Sequence, residues 1–275
     1  MGIVNVTPDS FSDGGLYLDP EAAIAHGLEL VEQGAATLDV GGESTRPGAD
    51  PVGVEEELAR VLPVVEGLAE RVPGVQISID TAKRDVAERA LAAGASLVND
   101  VTAFRGDPGM AELVAASGAD CCLMHMLGEP RTMQDDPRYG DVVDDVKAFL
   151  SERMEAAVQA GVAEERILLD PGIGFGKTAE HNLQLLARLE EIVALGRPVV
   201  IGTSRKSFLG RLAGGRPGPE DRLPGTIATN VMALERGAEV FRVHDVAPVR
   251  DALVVAAATL GGRWTKRAGE TTART

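Results

Sequence analysis

The sequence predicts an α/β fold, a single (β/α)8 barrel, and three observations carry that prediction. Short β-branched runs alternate with longer amphipathic stretches. Eight such pairs fit into about 250 residues, the size of one barrel domain. Nearly every apolar run ends on a polar residue, as it would at the mouth of a barrel. A doubly wound open sheet shares the alternation but wants a glycine fingerprint after its first strand. Asn5-Val6-Thr7-Pro8-Asp9 is not one.

Taken in order, the run Ile3–Val6 is followed by a helical pattern over Pro20–Gln33, which stops at Gly34. Ala36–Val40 precedes Val54–Arg71. Val75–Asp80 precedes Arg84–Ala93, which stops at Gly94. Ser96–Asp100 precedes Pro108–Ser117. Cys121–His125 precedes Val142–Ala160, which stops at Gly161. Ile167–Asp170 precedes Glu180–Leu195, which stops at Gly196. Val199–Gly202 precedes Thr226–Arg236, and Val240–Val243 precedes Pro248–Leu260. The expected domain is 1–261, with a frayed tail over 262–275 and a glycine- and proline-rich loop at 214–223.

Composition narrows the function. Among 275 residues, 27 Lys+Arg stand against 42 Asp+Glu, a formal net charge of −15. Aromatics make up 3 %, too few to serve as stacking platforms for single strands. A nucleic-acid partner is therefore not expected, and an anionic ligand needs a local basic cluster. Two adjacent cysteines, Cys121 and Cys122, rule out a disulfide framework and suit a reducing compartment. Neither a secretory leader nor an apolar run of about 18 residues is legible. The expectation is a soluble cytoplasmic protein without a membrane partner.

The polar strand ends are Asn5, Asp39, Asp80, Asn99, His125, Asp170, and Arg242 with His244. In barrels of this kind the C-terminal strand ends converge on the active site. For any one position, a turn or helix cap is the competing reading. In Ile77-Ser78-Ile79-Asp80, alternation puts Asp80 on the same face as Ser78. His125, a lone histidine, reads as structural. Cys121 and Cys122 read as two packed thiols facing opposite ways.

The stretches 1–15 (Met-Gly-Ile-Val-Asn-Val-Thr-Pro-Asp-Ser-Phe-Ser-Asp-Gly-Gly) and 39–48 (Asp-Val-Gly-Gly-Glu-Ser-Thr-Arg-Pro-Gly) resemble the two signatures of the dihydropteroate synthases, a family of pterin-binding TIM barrels. The resemblance continues through Ser78-Ile79-Asp80-Thr81, Val98-Asn99-Asp100, Leu123-Met124-His125-Met126, Asp170-Pro171-Gly172, 202–207 and Arg242-Val243-His244-Asp245. It implies condensation of 6-hydroxymethyl-7,8-dihydropterin diphosphate with p-aminobenzoate, releasing diphosphate, in folate biosynthesis. It also implies Mg²⁺ as cofactor, sulfonamides as competitors of p-aminobenzoate, and a homodimer formed through the later helices.

Residue chemistry agrees with what the resemblance assigns. A pterin edge presents two parallel donors that one carboxylate accepts, and a side-chain amide complements the neighbouring edge. The family places Asp170, Asn99 and Asp80 there; for Asp170, a cap in the Asp-Pro-Gly turn is the competing role. Arg242 can stack on a pterin face and meet phosphate oxygens. Asn5 with Mg²⁺, Arg46, Arg242 and His244 are the implied diphosphate contacts, and Asn5 the implied metal ligand. The implied catalytic set is Asn5, Asp39, Arg46, Lys206, Arg242 and His244. Lys206 lies between the two substrates by the same resemblance, although 202–207 could also be a generic phosphate loop. Phe175 is expected in the pterin pocket wall. Phe11, Thr45, Arg46, Pro47, Lys206 and Ser207 are expected around p-aminobenzoate, with the loops 7–19 and 41–53 as lids.

The run Gly172–Thr178 imitates a P-loop, but the required first glycine falls on Pro171. Two alternatives share the barrel. A pterin-binding methyltransferase has no reason to keep Ser-Arg-Lys-Ser and Ser-Thr-Arg-Pro. A non-catalytic pterin-binding paralogue would have lost Asn5, Arg46 or Lys206.

Overall fold

Every one of the eight apolar runs forms a strand in the computed structural model, which describes residues 1–7, 19–44, 49–129, 131–215, 218 and 220–262. The first half runs β1 (Gly2–Asn5), α1 (Pro20–Glu32), β2 (Thr37–Gly41), α2 (Val54–Arg71), β3 (Gln76–Asp80), α3 (Arg84–Ala92), β4 (Leu97–Asp100) and α4 (Met110–Ser117). The second half runs β5 (Asp120–Met124), α5 (Val142–Gln159), β6 (Ile167–Asp170), α6 (Ala179–Ala187), α7 (Glu190–Val193), β7 (Val200–Ile201), α8 (Ser207–Leu212), α9 (Leu223–Glu235), β8 (Val240–Phe241) and α10 (Val246–Gly261).

Strands β1 to β6 form one parallel sheet in sequence order, and β7 pairs with β8. Two single bridges join these pieces, Leu169 with Val199 and Gly2 with Val243. Ile3 N–H donates to the Val243 carbonyl at 3.1 Å, and Val243 N–H to the Met1 carbonyl at 3.0 Å. The ring is therefore closed and leaves no sheet edge, which separates a barrel from an open sheet. No helix among the described residues is long and apolar enough to cross a membrane.

Side-chain alternation sorts the core into layers. Val40, Ile77, Ile79, Val98, Cys121 and Leu123 pack outward under the helices. Leu97, Cys122 and Val200 form a second cluster with Met1, Leu168 and Val240, which fills the barrel interior. The two cysteines thus face opposite layers, both free and buried. Burial pushes the Cys121 thiol up to about 12 and Cys122 well above its ordinary value, so both stay protonated.

Local chemistry sets the helix ends. Asp19 accepts from Glu21 N–H at 3.0 Å, with Pro20 in the first turn of α1. Thr178 and His181 cap α6 reciprocally. The helix expected over Glu180–Leu195 is in fact two, α6 and α7. The chain breaks where Arg188 turns its guanidinium onto Asp141 at 2.7 Å and Glu191 at 2.7 Å, while Leu189 is buried. Helix α8 was not legible in the sequence, and α9 and α10 begin at Leu223 and Val246, ahead of the expected Thr226 and Pro248.

Candidate active site

Parallel register gathers the polar strand ends at one end of the barrel. Asn5 aligns with Gly41, Gly41 with Asp80, and Asp80 with Asn99. Asp39, fully buried, lies at the centre of the resulting network. One of its oxygens accepts from Ser78 Oγ at 2.6 Å. The other accepts from Asn99 Nδ2 at 3.1 Å and from Arg242 Nε at 2.6 Å. Arg242 reaches across from β8 and also donates through Nη2 to Asp80 at 2.7 Å. Ser78 and Asp80 do share a face, as alternation requires. Burial and the neighbouring Asp39 push the Asp80 carboxyl up to about 7, against the pull of Arg242. The guanidinium, held by two carboxylates, is kept above its ordinary range.

Asp170 takes the capping role with one oxygen only. Its Oδ1 caps the turn by accepting from Gly172 N–H at 2.7 Å, while Oδ2 takes no hydrogen bond from the described residues. Burial raises its carboxyl, opposed by the Gly172 N–H and by Lys206, Arg242 and Lys177. Gly172 sits at φ +67°, and a Cβ there would come within 1.9 Å of the His125 carbonyl oxygen. Only glycine permits that approach. Lys206 N-caps α8, and its ammonium lies 4.2 Å from the centroid of the Phe175 ring. Phe175 in turn packs on Val101, Met124, Met126 and Met133, an apolar wall beside the polar ring.

His244 is held by Ser204, whose Oγ lies 3.0 Å from Nδ1 and accepts from the His244 backbone N–H at 3.1 Å. Burial and the Arg242 and Arg205 charges push its imidazole down to about 3, so it is neutral near pH 7. Asn5 ends β1 half-buried, and its amide makes no side-chain hydrogen bond among the described residues. Ser207 opens α8 and is exposed. Phe11, Thr45, Arg46 and Pro47, with most of the loop 7–19, lie outside the described residues, as does the tail after 262.

Some of this site had no sequence signal of its own. Lys177, read as part of a failed P-loop, is buried, and its ammonium meets His125 Nδ1 at 2.8 Å and the Phe175 carbonyl at 3.0 Å. Burial and Lys206 push it down to about 7, while Asp170 pulls the other way. His125, read as structural, is buried against Lys177 and the Phe149 ring, and burial and the Lys177 and Arg105 charges push it down to about 2. Lys83, at the start of α3, ties Glu43 at 2.6 Å to the fully buried Glu57.

Comparison with known proteins fits this geometry. The family model described as "Pterin binding enzyme" matches residues 1–244. The chain is 48% identical over 267 residues to a dihydropteroate synthase of Escherichia coli K12, covering 97% of this chain and 93% of that protein. Two solved structures align along most of their length. One is a Xanthomonas albilineans dihydropteroate synthase with 4-aminobenzoic acid (52% identity, TM-score 0.88, 94% of this chain and 92% of that one). The other is a Yersinia pestis dihydropteroate synthase with a sulfonamide drug (45% identity, TM-score 0.89, 94% and 93%). Similarity of this extent joins sequence, barrel and polar mouth in one assignment: the chain belongs to the pterin-binding enzyme family and groups there with the dihydropteroate synthases.

Proposed function

We propose that the barrel mouth condenses 6-hydroxymethyl-7,8-dihydropterin diphosphate with p-aminobenzoate to give 7,8-dihydropteroate and diphosphate, a transferase step of folate biosynthesis. The observation that carries this reading is the meeting of buried acceptors and cations at one barrel end. Asp170 keeps one oxygen without a hydrogen bond from the described residues, Asp80 and Asp39 share Arg242, and Arg242 and Lys206 bring positive charge into a chain of net charge −15.

In this reading Asp170 Oδ2 accepts from the pterin edge. The Asn99 amide, whose Nδ2 is given to Asp39 and whose oxygen takes no hydrogen bond from the described residues, lies on the neighbouring edge, and Asp80 completes the set. The Phe175 wall covers one ring face, and the Arg242 guanidinium, held by Asp39 and Asp80, lies against the other. Lys206 stands between the substrates and donates to the pterin carbonyl. Neutral His244, with Nδ1 taken by Ser204, donates from Nε2 to diphosphate, where Arg242, Asn5 and Arg46 also act. Charge builds up on the departing diphosphate, and prearranged donors there lower the barrier. Thr45, Pro47, Phe11 and Ser207 surround p-aminobenzoate, and sulfonamides compete for the same place.

The donor set suits Mg²⁺. Among the described residues, the Asn5 amide oxygen has no partner, and no cluster of three acidic, histidine or cysteine groups forms a metal cage. Magnesium is usually held by few protein ligands together with substrate phosphates and water, so Asn5 is the ligand assigned. Bound there, it supplies charge neutralisation on the leaving diphosphate. The later helices support a homodimer: Met232, Val254, Val255 and Leu260 are exposed on α9 and α10, an apolar surface that a second copy covers. Cytoplasmic residence fits the two free thiols.

Calorimetric titration with 6-hydroxymethylpterin tests the pocket. Binding is expected for the native chain, and a folded chain that ignores the pterin would overturn the reading.

A further inference from the structure

Two of the loops that form the mouth, after β7 and β8, are joined by an ion pair that none of the roles above uses. Arg205 Nε donates to Asp245 Oδ2 at 2.9 Å and Nη2 to Oδ1 at 2.6 Å, a two-pronged contact. Each partner is the immediate neighbour of a proposed substrate contact, Arg205 of Lys206 and Asp245 of His244. We infer that the Arg205–Asp245 pair is a positioning device that sets Lys206 and His244 at a fixed distance from one another.

Three further observations support this. Arg205 holds φ at +57°, in the left-handed region that long side chains rarely adopt. Such a conformation persists where its surroundings over-determine it. Here Thr226 Oγ1 accepts from the Arg205 N–H at 3.1 Å, and Arg222 Nη1 donates to its carbonyl at 2.8 Å. Asp245 occupies the N-cap position of α10 yet makes no capping hydrogen bond with its side chain. Its carboxylate is given to Arg205 and not to the helix. Finally, Ser204 reaches His244 across the same gap, so the two loops are joined at two successive rungs, 204 to 244 and 205 to 245. A contact serving stability alone would not need a left-handed arginine beside the residue it aims.

The inference rests on the proposed roles of Lys206 and His244, and its test keeps the two apart. The variants are Arg205→Gly, Asp245→Asn and the double variant. Glycine accepts φ +57° without strain, and asparagine keeps the shape of Asp245, so both leave the fold in place. Each single variant is expected to lower kcat by about 10- to 100-fold, the scale on which a misplacement of about 1 Å acts. The double variant is expected to lose no more than the worse single one, because the same Arg205–Asp245 contact is broken either way. The second readout is the titration of His244 followed by NMR. Its charged neighbours are Arg242, Arg205 and Lys206, which push it down, and Asp245, which pushes it up. Arg205→Gly is therefore expected to raise the His244 titration and Asp245→Asn to lower it, while both reduce turnover. Single variants within about twofold of the native rate, losses that multiply in the double variant, or His244 shifts of the same sign would overturn the inference. A native chain without product overturns the proposed function instead, and the opposite His244 shifts still decide whether the pair holds that residue.

Discussion

Replacing Arg242 by Met removes the cation that crosses the barrel mouth while keeping most of its apolar stem. Asp39 then retains Ser78 and Asn99 as donors, whereas Asp80 loses its Arg242 bond at 2.7 Å. Two charge-assisted hydrogen bonds are worth roughly 1.5–3 kcal/mol each. Breaking a buried ion pair from one side costs roughly 3–5 kcal/mol. The expected loss of stability is therefore about 3–5 kcal/mol at pH 8. The pH dependence follows from Asp80, already pushed up to about 7 with Arg242 present. Without the guanidinium its folded pKa rises further, above an unfolded value of about 3.9. The folded state then holds a proton that the unfolded state has released, so stability falls as pH rises through that window. The defect should shrink to about 2 kcal/mol or less at pH 5, where Asp80 is neutral. Urea unfolding of native chain and variant at both pH values reads this directly. Adding Asp80→Asn should restore part of the loss at pH 8. A defect equal at pH 5 and pH 8, or below about 1 kcal/mol at pH 8, would refute the network described here.

Asp170→Asn puts an amide donor where the pterin presents donors, so calorimetry should show pterin affinity nearly abolished with unfolding unchanged; native affinity in the folded variant would remove Asp170 from the pocket. Lys177→Met tests the buried ammonium. The folded pKa of Lys177, about 7, lies below its unfolded value, so native stability should climb between about pH 7 and about pH 10.4 as the unfolded state alone keeps the proton. The variant should lack that rise, and an identical slope in both chains would show that Lys177 does not titrate in this range. For p-aminobenzoate, a ligand this small has little free energy to set against the cost of association alone. It should bind only after pterin, diphosphate and Mg²⁺ are present, and tight binding to the free chain would show a preformed pocket.

Strand order was legible because each strand is a short apolar run that meets a polar residue where the barrel opens. Asn5, Asp80, Asn99 and Asp170 stand at those ends in both sequence and structure. Closure itself depends on two single bridges at Gly2 and Leu169, which no periodicity encodes. Helix α8 escaped because six residues are too few to show a helical period. The break between α6 and α7 depends on Arg188 finding Asp141 from another part of the chain, so no local pattern announces it. Similarly, Lys177 reads as an ordinary loop lysine until His125, 52 positions away, is placed against its ammonium. Residue identity thus singles out the polar groups that line the barrel mouth. Which of them hold one another in place is decided by tertiary contacts.

The central claim is tested most directly by incubating the purified chain with 6-hydroxymethyl-7,8-dihydropterin diphosphate, p-aminobenzoate and Mg²⁺, and measuring 7,8-dihydropteroate and diphosphate together. The expected result is equimolar formation of both products, lost on chelation of the metal and inhibited by a sulfonamide in competition with p-aminobenzoate. Pterin binding by a folded chain that releases neither product under these conditions would contradict it.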